Sequence, residues 1–237
     1  MSPESPAALL ARLVGTDPGR PRITVYDDTD GPTRGERIEL SARVLANWVA
    51  KAANLLQEDL DAGPGTRVLL DLPAHWRSLY WAFATWSVGA EVVLPGAEDD
   101  DAVDLVVTDD PERCALAGTS VLVTLAALAR GAAVPVPQGA VDEAKDLATH
   151  GDVFVPWDEP DDDAVALTAP SGALTYAGLV PTPAGGRREH VATGETATLL
   201  EVALRVWAGD GSLVLTRGRP DTDVLAARLA AEGVEEA

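Results

Sequence analysis

Residues 67–94 constrain the fold of this chain more than any other stretch. Arg67–Leu72 (RVLLDL) is a short apolar run of strand length, and Glu91–Leu94 (EVVL) is another. Between them His75–Val88 is apolar at helical spacing, entered through Pro73 and Ala74. Two short buried strands joined through a helix make a βαβ unit. Such a crossover places the strands parallel and is right-handed.

The flanking segments extend the alternation. Ala7–Val14 has helical periodicity. Arg22–Asp27 (RITVYD) and Glu36–Leu40 flank the turn TDGPTRG, so 22–40 reads as a hairpin. Ser41 is placed to cap a helix carrying Val44, Leu45, Trp48, Val49, Ala52, Leu55 and Leu56, which Gly and Pro residues at 62–65 stop. Beyond residue 95, strands are expected at 103–109, 120–125, 164–168 and 213–216. Helices are expected at 125–130, 141–149, 195–208 and 221–231. Residues 174–180 read as a strand or a helix start, and PTPAGGRREH as a loop. The class is α/β. Pro and acidic residues at 156–163 mark a linker between a first α/β subdomain, 1–157, and a smaller second one, 164–237; the two could also form one compact unit.

Composition narrows the partners. Asp and Glu total 38 against 18 Lys and Arg, a formal charge of −20. Such a surface repels phosphate backbones and anionic headgroups, so neither nucleic acid nor membrane is expected as a partner. A single cysteine, Cys114, excludes an intrachain disulfide and a cysteine-based zinc cluster. The first residues lack a basic leader, and no run approaches about 18 apolar residues. A cytoplasmic location is expected.

Candidate chemistry is sparse. His75, His150 and His190 stand at no metal-ligand spacing, and His75 is placed to cap a helix or lie on the surface. Cys114 reads as an inert thiol. The acidic runs 98–104 and 158–164 lack the glycine and terminal glutamate of a calcium loop and read as solvated. No catalytic, cofactor-binding or metal-binding residue is assigned, and no cofactor is expected. Trp76, Trp81 and Trp86 lie five apart on one helix, so successive rings turn by about 140°. At least one is expected to face away from the main core. It would meet either a second core or a partner.

In linear order, GERIELSARVLANWVAKAANLL, GPGTRVLLDLPAHWRSLYWAFATWSVGAEVVLP, AVALTAPSG and TATLLEVALRVWAGDGSLVLTRGRPDTDVLAARLAAEGV resemble the N-terminal region of adenylate-forming enzymes. That superfamily comprises acyl-CoA synthetases, nonribosomal adenylation domains and luciferases. The resemblance implies layered sheets with flanking helices. It also implies a Ser/Thr/Gly-rich loop ending in Pro-Lys-Gly that cradles ATP phosphates with backbone N–H groups. Here the matching stretch is Thr168-Ala169-Pro170-Ser171-Gly172-Ala173-Leu174-Thr175. It lacks the Pro-Lys-Gly, and Pro170 removes a donor. GALTYAGL is similar to the family's residues just after that loop. The family's adenine segment, ribose-binding aspartate and catalytic lysine fall outside the matched region.

The resulting expectation is a truncated, degenerate and non-catalytic relative. It would bind a small acyl or nucleotide ligand, a protein partner, or a second copy of itself. A split adenylating ligase completed by another chain, and a scaffold without ligand, are the alternatives.

Overall fold

The computed structural model describes residues 4–97, 100 and 102–234. Helix α1 (Pro6–Thr16) starts on Ser5, whose hydroxyl accepts from the Ala8 N–H, with Pro6 in the first turn where no intrahelical donor is needed. Strands β1 (Pro21–Asp28) and β2 (Arg37–Ser41) are the expected antiparallel pair. Ser41 then caps α2 (Ala42–Asn54) by accepting from the Val44 N–H. This helix runs on into one wide turn, Leu55–Asp59, of π geometry.

The βαβ unit is present as expected. β3 (Arg67–Asp71), α3 (Trp76–Ser87) and β4 (Glu91–Val93) come in order, and Arg67, Val68 and Leu69 pair in parallel with Glu91, Val92 and Val93. β5 (Leu105–Thr108), β6 (Ser120–Leu122) and β7 (Val141–Asp142) add in parallel beyond β3. β8 (Val165–Ala169) lies parallel to β4, and β9 (Gly172–Thr175) closes that edge antiparallel to β8. A second sheet has the order β10 (Arg188–Ala192), β11 (Ser212–Gly218), β1, β2, with β11 parallel to both neighbours. The remaining helices are α4 (Pro111–Leu116), α5 (Glu143–Asp146), α6 (Tyr176–Leu179), α7 (Thr196–Ala208) and α8 (Thr222–Ala231).

Both sheets take strands from each side of residues 158–163. The four-stranded sheet joins 21–41 to 188–218, and the seven-stranded sheet joins 67–142 to 165–175. The segments 1–157 and 164–237 therefore interleave in the sheets.

Helices fill the space between the sheets. α3 rests on β3 and β4 and touches α1, α2 and α7, while α2 contacts β1 and β2, and α7 contacts β10 and β11. This explains the tryptophans. Trp76 and Trp86 are 2% exposed and Trp81 is 0% exposed, because α3 is covered on every side. All three rings lie in one continuous apolar core rather than in two, and no tryptophan of α3 is left for a partner. Trp48 packs on Trp76 with ring centres 5.7 Å apart, and Phe83 on Trp207 at 5.4 Å. Burying Phe83 fully contributes roughly 1.5–3 kcal/mol, whereas Trp48 is only partly buried.

Three expectations are corrected. Residues 125–130 are not helical. The carbonyls of Leu125 and Ala126 are taken by the guanidinium of Arg77, which holds the segment irregular. Residues 141–149 are a two-residue strand, one turn of α-helix and a 3₁₀ turn. The end of the expected loop PTPAGGRREH is strand β10. It passes so close to the turn after α7 that a Cβ on Gly186 would lie 2.2 Å from the Gly209 carbonyl oxygen.

Helix α8 has no buried residue and is fastened by polar contacts. Arg228 binds both carboxylate oxygens of Asp28, and Glu232 accepts from Tyr26 at 2.6 Å, Arg37 at 2.8 Å and Arg188 at 2.5 Å. Burial works against the charge on Glu232, but these hydrogen bonds outweigh it and hold its pKa at about 2. No helix among the described residues is long and apolar enough to cross a membrane.

Candidate functional site

The stretch aligned by resemblance with a phosphate loop folds as a tight hairpin. β8 ends at Ala169, β9 begins at Gly172, and these two residues pair directly. Pro170 and Ser171 alone make the turn. Proline presets the backbone angle of the first turn position, and Gly172 takes a φ of +126° that a side chain would oppose. Of the two turn residues, only Ser171 has an N–H to offer. A cradle for several phosphate oxygens needs several convergent donors, and this turn does not supply them.

Beside the hairpin is a half-open cleft of about 1040 Å³. It lies at the carboxyl ends of parallel strands β3, β4 and β8, where Leu72, Leu94, Pro95 and Ala169 line it. Ligands of open α/β sheets bind in that position. Its far wall is the first turn of α7, from Gly194 to Thr198. That turn is pinned to the end of β3: Thr196 Oγ1 donates to the Leu72 carbonyl at 2.5 Å, and the Gly194 carbonyl accepts from the Ala74 N–H at 3.1 Å. Leu167, Leu174, Leu179 and Leu204 make the lining mainly apolar.

The charges of the cleft are unfavourable for phosphate. Glu195 and Glu201 line it, and Arg205 is its cation among the described residues. Arg205 is already engaged by Glu189 through two hydrogen bonds of 2.9 and 2.7 Å. No lysine contributes, since both lysines of the chain, Lys51 and Lys145, lie on other elements.

The polar residues considered from sequence are not brought together. His75 is the N-cap of α3, its Nδ1 accepting from the Arg77 N–H at 3.3 Å. It is buried rather than on the surface. Burial, together with the Arg217 and Arg77 cations, pushes its pKa well below the usual imidazole value, so it is neutral at neutral pH. His150 pairs with Asp59 beyond the end of α2, and His190 contacts Thr216 within the four-stranded sheet. Cys114 is buried with its Sγ 3.0 Å from Ser120 Oγ, and burial raises its pKa, as expected of an inert thiol.

Asp158–Asp163 lie on an exposed loop. Of the other acidic run, Glu98, Asp99 and Asp101 lie outside the described residues. Asp104 accepts from the backbone of Arg67 and Asp100 from that of Gly96. Among the described residues no cluster of His, Cys, Asp or Glu could hold a metal ion.

One buried ion pair has no signature in the sequence. Arg217 binds Asp27, whose carboxylate also accepts from the Thr29 N–H and hydroxyl and from Thr33. Burial opposes the charge of Asp27, but the hydrogen bonds from Thr29 and Thr33 and the Arg217 cation keep its pKa low. These partners stand 190 residues apart, and no spacing rule could have joined them.

No family model matches the chain. The TIGR03089 family protein of Mycobacterium tuberculosis is 40% identical over 158 residues, covering 65% of this chain and 63% of that protein. Acetoacetyl-CoA synthetase from Streptomyces lividans superposes with a TM-score of 0.71 at 15% identity, over 97% of this chain and 41% of that one. An acyl-CoA synthetase from Brucella canis gives 0.70 at 16% identity, over 97% and 46%. The N-terminal subdomain of Klebsiella oxytoca NpsA gives 0.61 at 14% identity, over 99% and 60%. The chain thus has the α/β fold of the N-terminal subdomains of adenylate-forming enzymes. It spans less than two thirds of the length of each of these proteins.

Proposed function

We propose that this chain is a binding protein on an adenylate-forming scaffold, non-catalytic in adenylation, whose cleft takes a small uncharged acyl group. The observation that carries this reading is the two-residue hairpin at Pro170–Ser171 in the place of a phosphate loop. The cleft beside it supports the ligand class. Leucines line it, and its carboxylates, Glu195 and Glu201, oppose phosphate and free carboxylate alike.

The test is a calorimetric titration with a neutral thioester, octanoyl-N-acetylcysteamine. Saturable binding is expected, weakened at least tenfold by Leu174→Glu, a change at an exposed residue that lines the cleft. Absence of heat at two temperatures, or equal binding by the variant, refutes the acyl reading.

A split ligase completed by a second chain is the other reading. The open edge of β9 favours it, since Gly172, Ala173 and Leu174 are exposed there beside the cleft. In that case this chain would hold nucleotide phosphates through donors other than the Pro170–Ser171 turn.

A further inference from the structure

Residues 150–157 form an extended strap laid across α2 and its π turn. Three side chains spaced three apart hold it. Lys51 Nζ donates to the His150 carbonyl at 2.5 Å. Asn54 Nδ2 donates to the carbonyls of Gly151 and Val153, both at 3.0 Å. Gln57 Nε2 donates to the Val155 carbonyl at 3.2 Å, while its Oε1 accepts from the Trp157 N–H at 2.9 Å. Asn54 and Gln57 are themselves buried. The π turn carries Gln57, and a widened turn of this kind is frequent at functional sites.

An extended backbone turns alternate side chains to opposite sides. Phe154 turns inward and packs on the core. Val153, Val155 and Trp157 are left 78%, 70% and 66% exposed. A pinned backbone bearing two valines and a tryptophan is a pre-organised apolar ridge. Binding through it forfeits little backbone entropy, and tryptophan is among the residues most often found to anchor an interface.

The surroundings of the ridge specify its partner. Asp152, Asp158, Glu159, Asp161, Asp162 and Asp163 flank it in sequence with no Lys or Arg between them, and Glu58, Asp59 and Asp61 end the helix beneath. The local cation, Lys51, is neutralised by Asp152 at 2.9 Å. A second copy of this chain would bring the same acidic rim and a formal charge of −20. Anionic lipid is repelled for the same reason. We propose that Val153, Val155 and Trp157 dock into an apolar groove rimmed by Lys and Arg on a partner protein. This surface is separate from the cleft, and the proposal does not depend on what the cleft binds.

The test places the photo-crosslinking residue p-benzoylphenylalanine at Trp157 in the full chain, expressed in its source cells, with the same residue at exposed Leu128 as control. The protein joined at 157 and not at 128 is purified and titrated against the wild type, Trp157→Ser and Asp158→Asn/Glu159→Gln. We expect at least a hundredfold loss of affinity for Trp157→Ser at unchanged thermal stability. For the acidic double variant we expect slower association and a weaker salt dependence. Three results would overturn the proposal: no adduct specific to 157, an adduct only to a second copy of the chain, or a captured protein whose affinity ignores Trp157 and salt.

Discussion

Glu143→Leu is expected to lower the unfolding free energy by about 3–5 kcal/mol, because it strands a buried cation. Glu143 is 0% exposed and Arg77 2% exposed, with Arg77 Nη1 2.6 Å from Glu143 Oε1. The Tyr80 hydroxyl donates to the same oxygen. Arg77 lies over the Trp76 ring, 4.4 Å from its centre, and holds the carbonyls of Leu125 and Ala126. Removing the carboxylate leaves the guanidinium with aromatic and carbonyl contacts but no directly paired carboxylate.

The double variant Arg77→Met/Glu143→Leu replaces the pair by apolar groups and is expected to recover part of the loss, since a buried pair as a whole adds little. Urea unfolding of the wild type and these two variants checks this. A double variant no more stable than Glu143→Leu would mean that the carbonyl contacts of Arg77, and not its charge, set the cost.

Trp207→Ala should cost a similar amount, about 3–5 kcal/mol, through cavity formation. Trp207 sits on α7 at 0% exposure, against Phe83 of α3. Its Nε1 donates to the Arg22 carbonyl of β1 at 3.1 Å, so one side chain ties two interior helices to the four-stranded sheet. Trp207→Phe keeps most of the packing and removes that hydrogen bond, for a loss of about 0.5–1.5 kcal/mol. Thermal unfolding that separates the two substitutions by less than about 1 kcal/mol would show that the hydrogen bond, rather than the filled volume, is the main contribution at this position.

Elements governed by local chemistry are legible from the chain alone. The Ser41 cap, the amphipathic α2 and the parallel β3–α3–β4 unit arise from residues within a few positions of one another. Elements that depend on distant partners are not. β10 carries Arg188, Glu189 and His190, a polar pattern without alternation; it is a strand because it lies parallel to β11 across the α7 crossover. Residues 125–130 have helical composition but lose two carbonyls to Arg77, about fifty residues away.

The rotation of the tryptophans around α3 is legible in their spacing, but a linear sequence does not reveal that helices cover α3 on both sides. For the candidate site, the absence of a Pro-Lys-Gly and the presence of Pro170 are visible in Thr168–Thr175. The cleft is not, because its walls come from segments around residues 72, 94, 170 and 196.

The most direct test of the central claim, that the Pro170–Ser171 hairpin leaves no seat for nucleotide phosphates, is calorimetric titration of the purified chain with Mg-ATP at two temperatures. No saturable heat is predicted up to millimolar ATP at either temperature. Saturable binding would contradict the claim: the phosphates would then have donors other than this turn, and the reading as half of a ligase would take its place.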